Sequence, residues 1–336
     1  MLNRSGARVI LLALIVVCLP AEGTAAMDSR YAEVNGVRLH YVTRGEGRLI
    51  LFLHGFPEFW YAWRRQLEEF GKDRQAVAVD LRGYNLSSKP ARVEEYAMPL
   101  LAADVKALAE KLGAGPRNRF VLVGHDWGGV VAWVFAALHP EYLEKLVIIN
   151  APHPAIFARE LRENPEQQKA SQYMLLFRGE GAEATLSANN FGMLQAAVFR
   201  GATKPDAFTA DDREAYLEAW SQPGALTGGL NYYRAARVGP PPAATPAPET
   251  AAAGDPPASA PSSEAPLLPA SLGPIEVPTL VIWGEKDRAL LTGNLDGLEK
   301  LAPNLRVKRI PDGTHWVVHE YPDLVNGYIR AFLDDR

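Results

Sequence analysis

Short runs of exclusively apolar residues constrain the fold of this chain most strongly. Four of them lie well apart in the sequence: LILFL ending at Leu53, FVLV ending at Val123, LVII ending at Ile149 and LVIW ending at Trp283. Each has the length of a strand, and an unbroken apolar run indicates a strand that is covered on both faces. Helical patterns such as residues 98–112 separate them. Strands that alternate with helices predict a parallel sheet with helices on both sides.

Two segments interrupt this alternation. Residues 152–238 are helical in pattern and contain no run typical of a buried strand, and strand patterns then return after residue 275. We therefore expect residues 27–151 and 275–336 to form one sheet domain, with residues 152–238 inserted as a helical cap. Residues 239–274 are dominated by Pro, Ala and Ser and contain no aromatic residue. Such a segment buries too little surface to offset its ordering entropy, which predicts a disordered loop.

The first 26 residues have the pattern of a signal peptide. Arg4 and Arg8 precede an apolar run over residues 9–19, and small residues follow up to a cleavage position after residue 26. The run is about half of the ~20 residues needed to span a bilayer. We expect export to the periplasm or the medium, with no stable membrane anchor after processing. The single cysteine, Cys18, lies in this segment, so the mature chain is predicted to have no disulfide and no thiolate nucleophile.

Composition excludes several kinds of partner. The formal net charge is -4 and no block of like charges stands out, which argues against nucleic acid or an anionic membrane surface as a partner. The sequence shows no metal-ligand cluster and no phosphate-binding glycine loop, so no metal site is predicted. It does not determine the oligomeric state.

The stretch FVLVGHDWGGVVAW has the outline of a nucleophile elbow, in which a strand turns sharply into a helix. The usual pattern of such elbows is G-x-S-x-G, but the central residue here is Asp126. A carboxylate nucleophile attacks a carbon atom that carries a leaving oxygen or halide and forms a covalent ester on the enzyme. The elbow therefore predicts substitution at carbon, followed by hydrolysis of the ester by water.

Two later residues complete a catalytic triad. Asp287 follows the strand pattern TLVIWG, and His315 lies in the loop PDGTHW after the strand pattern LRVKRI. Nucleophile, acid and histidine occur in that order in α/β-hydrolases. We expect His315 to activate water as general base and Asp287 to orient its ring.

The ester of Asp126 needs backbone donors for its developing oxyanion. Trp127 N–H follows the nucleophile directly, and we expect the second donor to be Phe56 N–H in the loop HGFPE. In that loop Pro57 fixes the turn, and His54, Pro57 and Trp127 are predicted to line the substrate pocket.

The motifs HGFPE, GHDWGG, WGEKD and GTHW together resemble those of epoxide hydrolases in the α/β-hydrolase superfamily. The resemblance covers residues 31–336 except the Pro/Ala-rich loop. It implies the α/β-hydrolase fold, with a mostly parallel eight-stranded sheet, helices on both faces and a helical cap. It also implies an activity without a cofactor, in which a small-molecule epoxide and water give a vicinal diol.

Two cap segments resemble the tyrosine segments of that family. SQYMLLFRGEG matches at Tyr173 and GLNYYRA matches at Tyr233, whereas the adjacent Tyr232 is interpreted as a core residue. In the family, these tyrosines hydrogen-bond the epoxide oxygen. Ring opening needs such donors, because an alkoxide is a poor leaving group unless a phenol donates a hydrogen bond and then a proton to it.

Three alternatives stay open from the sequence. A haloalkane or haloacid dehalogenase uses the same Asp nucleophile, and GHDWGG is shared with haloalkane dehalogenases. A binding or effector protein that has the hydrolase fold but turns over no substrate is a second alternative. A serine esterase is disfavoured because no G-x-S-x-G stands at the elbow.

Overall fold

The computed structural model describes residues 26–241 and 273–335 of the 336-residue chain. The predicted signal peptide, except residue 26, lies outside the described residues, and so does most of the predicted Pro/Ala-rich loop. Both therefore stay predictions.

Eight strands form one sheet, in the order β1-β2-β4-β3-β5-β6-β7-β8. The strands are β1 Asp28–Val34, β2 Val37–Arg44, β3 Leu49–Leu53, β4 Gln75–Val79, β5 Phe120–His125, β6 Leu143–Ile149, β7 Thr279–Gly284 and β8 Leu305–Ile310. Strand β2 is antiparallel to both of its neighbours, and every other neighbouring pair is parallel. The predicted mostly parallel eight-stranded sheet is confirmed.

Helices cover both faces of this sheet and also form a block between β6 and β7. They are α1 Arg64–Phe70, α2 Met98–Lys111, α3 Trp127–Leu138, α4 Pro154–Glu163, α5 Pro165–Ala170, α6 Tyr173–Arg178, α7 Ala182–Phe199, α8 Ala210–Ser221, α9 Ala225–Ala236, α10 Val317–Glu320 and α11 Pro322–Asp334. Helices α2 and α3 pack on one face, and α1 and α11 pack on the other.

The apolar runs are buried on both faces because each strand supplies two hydrophobic layers. In β3, Leu51 and Leu53 belong to the layer under α2 and α3, whereas Ile50 and Phe52 belong to the layer under α1 and α11. Successive side chains of a strand point to opposite faces. A continuous apolar run therefore fills two cores at once, which is why these strands do not show alternating polarity.

Helices α4 to α9 lie between β6 and β7 along the chain and cover the carboxyl ends of the strands. Two indole N–H groups tie this block to the sheet domain. Trp220 donates to the Pro57 carbonyl oxygen at 2.6 Å, and Trp316 donates to the Ala197 carbonyl oxygen at 2.9 Å. These contacts hold the cap over the loops in which the sequence places its candidate catalytic residues.

Candidate active site

Asp126 lies at the sharp turn between β5 and α3. Its backbone has φ 50° and ψ −122°, a region that costs energy for any residue with a side chain. Two glycines make the close approach feasible, since a Cβ on Gly128 would collide with the Leu53 carbonyl and a Cβ on Gly124 would collide with Gly128 itself. The elbow thus presents the carboxylate at the carboxyl edge of the sheet.

One oxygen of this carboxylate is held by a backbone donor. Phe56 N–H donates to Asp126 Oδ1 at 2.8 Å. The Phe56–Pro57 peptide bond, which is cis, lies in the loop after β3. Trp127 begins α3, and the first N–H groups of a helix have no partner within the helix. The geometry therefore places Phe56 N–H at Asp126 and leaves Trp127 N–H available beside it.

His315 joins the two carboxylates that the sequence singled out. Its Nδ1 lies 2.7 Å from Asp287 Oδ2, and its Nε2 lies 3.7 Å from Asp126 Oδ2. Burial alone would lower the pKa of His315, but Asp287 and then Asp126 outweigh it and raise the pKa to about 9. Burial alone would raise the pKa of Asp287, yet its interactions with His315 hold it below the usual value.

Asp287 is held in place by donors on each side. Its Oδ1 accepts from Ala289 N–H at 2.8 Å and from Leu290 N–H at 3.0 Å. Its Oδ2 accepts from the Asn150 amide at 2.9 Å, and Asn150 Oδ1 in turn accepts from Gly284 N–H. Asn150 directly follows β6, so this amide joins the ends of two neighbouring strands. The sequence analysis missed its role, because an isolated Asn after a strand is common.

Tyr173 and Tyr233 line the same cavity as Asp126. Tyr233 is nearly fully buried, and its ring meets the Trp127 ring edge-on with centroids 5.0 Å apart. Burial, with a further contribution from the Asp126 charge, raises the pKa of both phenols well above 10. Both tyrosines therefore stay protonated donors at neutral pH.

The adjacent Tyr232 has a different environment. It is fully buried, and its hydroxyl donates to the Arg82 carbonyl oxygen at 2.9 Å. Its role is in packing the cap against the sheet domain, as the sequence interpretation expected.

A cavity of about 460 Å³ opens beside Asp126 and His315. Its size falls within the usual range of small-molecule sites. Pro57 lines this cavity, whereas Trp127 lines a smaller apolar pocket that also borders Asp126, Tyr173 and Tyr233.

The structure contradicts the expectation that His54 lines the substrate pocket. Within the described residues, His54 is fully buried and lines neither the cavity beside Asp126 and His315 nor the apolar pocket of Trp127. Its Nδ1 lies 2.8 Å from the Gly55 carbonyl oxygen, and its Nε2 accepts from Leu81 N–H. Burial lowers the pKa of His54, so the ring is neutral and stabilises the turn after β3.

A buried polar network behind the triad was missed by the sequence analysis. Glu58 Oε2 lies 3.0 Å from His125 Nδ1, and His125 Nε2 lies 2.8 Å from the backbone oxygen of His315. The other oxygen of Glu58 accepts from Tyr216 and lies 2.6 Å from His319 Nε2. Two ionisable residues in the motifs could have indicated this network. Glu58 follows Pro57 after β3, and His125 follows Gly124 at the end of β5.

Glu58 keeps its charge in this network. Burial would raise its pKa, but the neighbouring histidines hold it well below the usual value. Through His125, this carboxylate therefore braces the backbone of the loop that carries His315.

Within residues 26–241 and 273–335, no three His, Cys, Asp or Glu side chains are grouped so as to hold a metal ion. In the same ranges, no helix combines the length and apolarity needed to cross a membrane.

Comparison with known proteins finds a family model and relatives that agree with one another. The family model of the α/β-hydrolase fold matches residues 48–322. Epoxide hydrolase 4 of Mus musculus is 37% identical over 310 residues, covering 90% of this chain and 78% of that protein. Epoxide hydrolase 2 of Caenorhabditis elegans is 33% identical over 315 residues, covering 92% of this chain and 80% of that protein.

Similar solved structures are also epoxide hydrolases. An epoxide hydrolase from Bacillus megaterium, in complex with an inhibitor, superposes with a TM-score of 0.79 at 38% identity. The match covers 91% of this chain and 100% of that one.

Proposed function

This chain belongs to the α/β-hydrolase fold family, among its epoxide hydrolases, and from that premise we propose how its own residues convert an epoxide and water to a vicinal diol. Asp126 is the nucleophile, Tyr173 and Tyr233 are the donors to the epoxide oxygen, and His315 with Asp287 activates water. The reaction has two steps, ring opening and ester hydrolysis.

In the first step Asp126 Oδ2 attacks an epoxide carbon. Oδ1 is already bound by Phe56 N–H, so Oδ2 is the oxygen that faces His315 and the cavity. The bond from the carbon to the epoxide oxygen breaks, and that oxygen takes a proton from a tyrosine. The products are a hydroxyalkyl ester of Asp126 and a tyrosinate. The raised pKa of these phenols still allows the proton transfer, because the alkoxide that forms on ring opening is a much stronger base than a tyrosinate.

In the second step the loss of the Asp126 charge changes the pKa of His315. The pKa of about 9 depends in part on that carboxylate, so ester formation lowers it. His315 then gives up its proton, the tyrosinate takes one up and is a phenol again, and the neutral imidazole is now a general base. Water attacks Cγ of Asp126 and gives its proton to His315. Phe56 N–H and Trp127 N–H stabilise the oxyanion. Its collapse expels an alkoxide, which takes the proton of the new Asp126 carboxyl group, so the diol leaves, Asp126 is again a carboxylate and His315 is again an imidazolium.

The observation that carries the proposal is the pair of cap tyrosines in the cavity of the Asp126 carboxylate. Halide leaves without a proton, so a dehalogenase has no need for two phenols there. The ring of Trp127, whose indole would hold a halide in a dehalogenase, packs edge-on against the Tyr233 ring.

The test offers styrene oxide and 1-bromobutane in parallel to purified protein and quantifies diol and free bromide. Diol formation that exceeds bromide release, and that is lost in Asp126→Ala, is the expected result. Bromide release that exceeds diol formation would overturn the proposal in favour of a dehalogenase. Binding of the epoxide without either product would indicate a non-catalytic role.

A further inference from the structure

One buried amide of the cap lies against the turn that carries the triad acid. Gln167, in α5, is fully buried and contacts residues that follow Asp287. Its Nε2 donates to the Ala289 carbonyl oxygen at 2.7 Å, and its Oε1 accepts from Leu291 N–H at 2.9 Å. Helix α5 belongs to the block between β6 and β7, whereas Asp287 follows β7. The contact therefore joins the cap to the catalytic triad.

The amide of Gln167 uses its full hydrogen-bonding capacity. The second hydrogen of Nε2 is donated to Ser171 Oγ at 2.9 Å, and the second lone pair of Oε1 accepts from Asn294 Nδ2 at 2.8 Å. A primary amide offers two donor hydrogens and one oxygen with two lone pairs. The Ala289 carbonyl only accepts and the Leu291 N–H only donates, so these two groups fix which end of the amide is nitrogen. The side chain is thus held in one orientation.

A single peptide group connects Gln167 with Asp287. The carbonyl oxygen of Ala289 and the N–H of Leu290 belong to the same planar unit. Gln167 donates to that oxygen, and Leu290 N–H donates to Asp287 Oδ1 at 3.0 Å. Because the unit is rigid, fixing its oxygen also fixes the direction of its N–H. The hydrogen bond on one side of the peptide also polarises it and strengthens the donor on the other side.

The Leu290 N–H matters for Asp287 because this carboxylate is buried. Burial would raise the pKa of Asp287, and His315 followed by the Leu290 N–H lowers it. Oδ1 accepts from the Leu290 and Ala289 N–H groups, while Oδ2 lies 2.7 Å from His315 Nδ1. A rotated Leu290 peptide would leave Oδ1 short of a donor and let the carboxylate turn away from the imidazole ring.

We propose that Gln167 is a positioning residue for the hydrolysis step, which fixes the Leu290 peptide and thereby the alignment of Asp287 with the general base. The inference rests on the proposed function, because only that reaction has an ester to hydrolyse. In the part of the chain that the structure describes, Gln167 lines neither the cavity beside Asp126 and His315 nor the smaller apolar pocket. It therefore acts only through the turn after β7. Ring opening by Asp126 uses no base, so it should depend much less on this amide.

The test measures the two half-reactions separately in Gln167→Met, a variant of similar volume without the amide. Enzyme is mixed with styrene oxide, and intact-mass analysis after rapid quenching follows the appearance and the decay of the ester. Only molecules that have folded and been alkylated enter the decay phase, so its first-order rate constant does not depend on the folded fraction. Gln168→Met is the matched control, because the Gln168 amide donates to the Leu161 and Arg162 carbonyl oxygens inside the cap.

We expect Gln167→Met to slow ester decay about tenfold or more, the effect of a small misplacement of a catalytic group, with alkylation close to the native rate. Gln168→Met should keep both native rates. Gln167→Glu is the second variant, in case the apolar side chain prevents folding. Its carboxylate keeps an acceptor for Leu291 N–H but, once ionised, has no hydrogen for the Ala289 carbonyl, so it too should slow ester decay.

The pH dependence of ester decay is a readout that a merely structural role would not move. Burial lowers the pKa of His315 and Asp287 raises it, so a displaced Asp287 should shift the midpoint of ester decay to lower pH. Asp126, Glu58 and His125 also act on that histidine or lie against its ring. The substitution alters none of these three, so a shifted midpoint reports on Asp287.

Equal slowing of alkylation and ester decay would overturn the inference, because a general loosening of the cap would then be the cause. An unchanged decay rate and midpoint, or failure of both Gln167 variants to fold, would assign this residue to stability alone and also overturn it. Each of these outcomes leaves the proposed function intact as long as the native enzyme forms diol through the ester. A native enzyme that forms neither ester nor diol would overturn the proposed function, and this inference with it.

Discussion

His315 Nε2 lies 3.7 Å from Asp126 Oδ2, close enough for strong attraction but beyond a direct hydrogen bond. The ring is meanwhile anchored at 2.7 Å to Asp287. The imidazole therefore faces the nucleophile without blocking it, which suits a group that acts on water only after the ester has formed.

Replacement of His315 by Gln should separate the two steps. The substitution leaves Asp126 able to open the ring but removes the base, so the ester should accumulate. Intact-mass measurement after incubation with styrene oxide should show the protein plus one epoxide mass. The control Asp126→Ala/His315→Gln should show no adduct, and an adduct in that control would place the nucleophile elsewhere.

The pH dependence of hydrolysis should differ from the titration of the free enzyme. With Asp126 ionised, His315 should titrate at about 9, which ring NMR signals can follow. Neutralising Asp126 removes an anion that favours the imidazolium, so the pKa must fall. The rate of ester decay should therefore rise with pH with a midpoint below 9. In the unalkylated variant Asp126→Asn, the NMR midpoint should also fall, and an unchanged midpoint would contradict the coupling.

The cap tyrosines should affect ring opening and leave ester hydrolysis nearly unchanged. Tyr173→Phe and Tyr233→Phe should each slow single-turnover alkylation, and the double variant should slow it by about 10³-fold, within the range of general acid catalysis. Tyr232→Phe is the matched control. It loses the hydrogen bond to Arg82 and should cost about 1 kcal/mol of unfolding free energy, with alkylation close to the native rate.

Glu58 should matter more for stability than its distance from the substrate cavity suggests. Glu58→Ala leaves His125, His319 and Tyr216 without their shared acceptor, and we expect a loss of about 3 kcal/mol or more in the free energy of unfolding. Tyr216→Phe removes the hydroxyl contacts with Glu58 and His319 but leaves the carboxylate and both histidines in place, and should cost about 1 kcal/mol. Urea denaturation measures both, and equal losses would mean that the carboxylate is not the centre of the network.

Gly128 should be intolerant of even one methyl group. A Cβ there meets the Leu53 carbonyl, which belongs to the backbone of a central strand and has little room to move. We expect Gly128→Ala to cost about 3 kcal/mol and to displace Asp126. Gly327→Ala, in an α11 position with open space around it, should instead stabilise the fold by about 0.5 to 1 kcal/mol. Thermal unfolding of the two variants provides the comparison.

Much of the fold was predictable because a strand that is buried on both faces has an apolar residue at nearly every position. The runs ending at Leu53 and Trp283 are apolar throughout, since each strand contributes to two hydrophobic layers. Polar loop residues at the carboxyl ends of such strands, such as Asp126 and His315, were recognisable from their order and from the elbow pattern.

Tertiary structure alone decided which of these side chains face a cavity. His54 and Pro57 are three residues apart in one motif, yet one ring is locked by backbone groups and the other lines the cavity. Glu58 and Asn150 carry no distinctive local pattern, because their hydrogen-bond partners come from distant parts of the chain. Periodicity reports which face of an element is buried, whereas charge pairing and cavity shape arise only when the cap folds over the sheet.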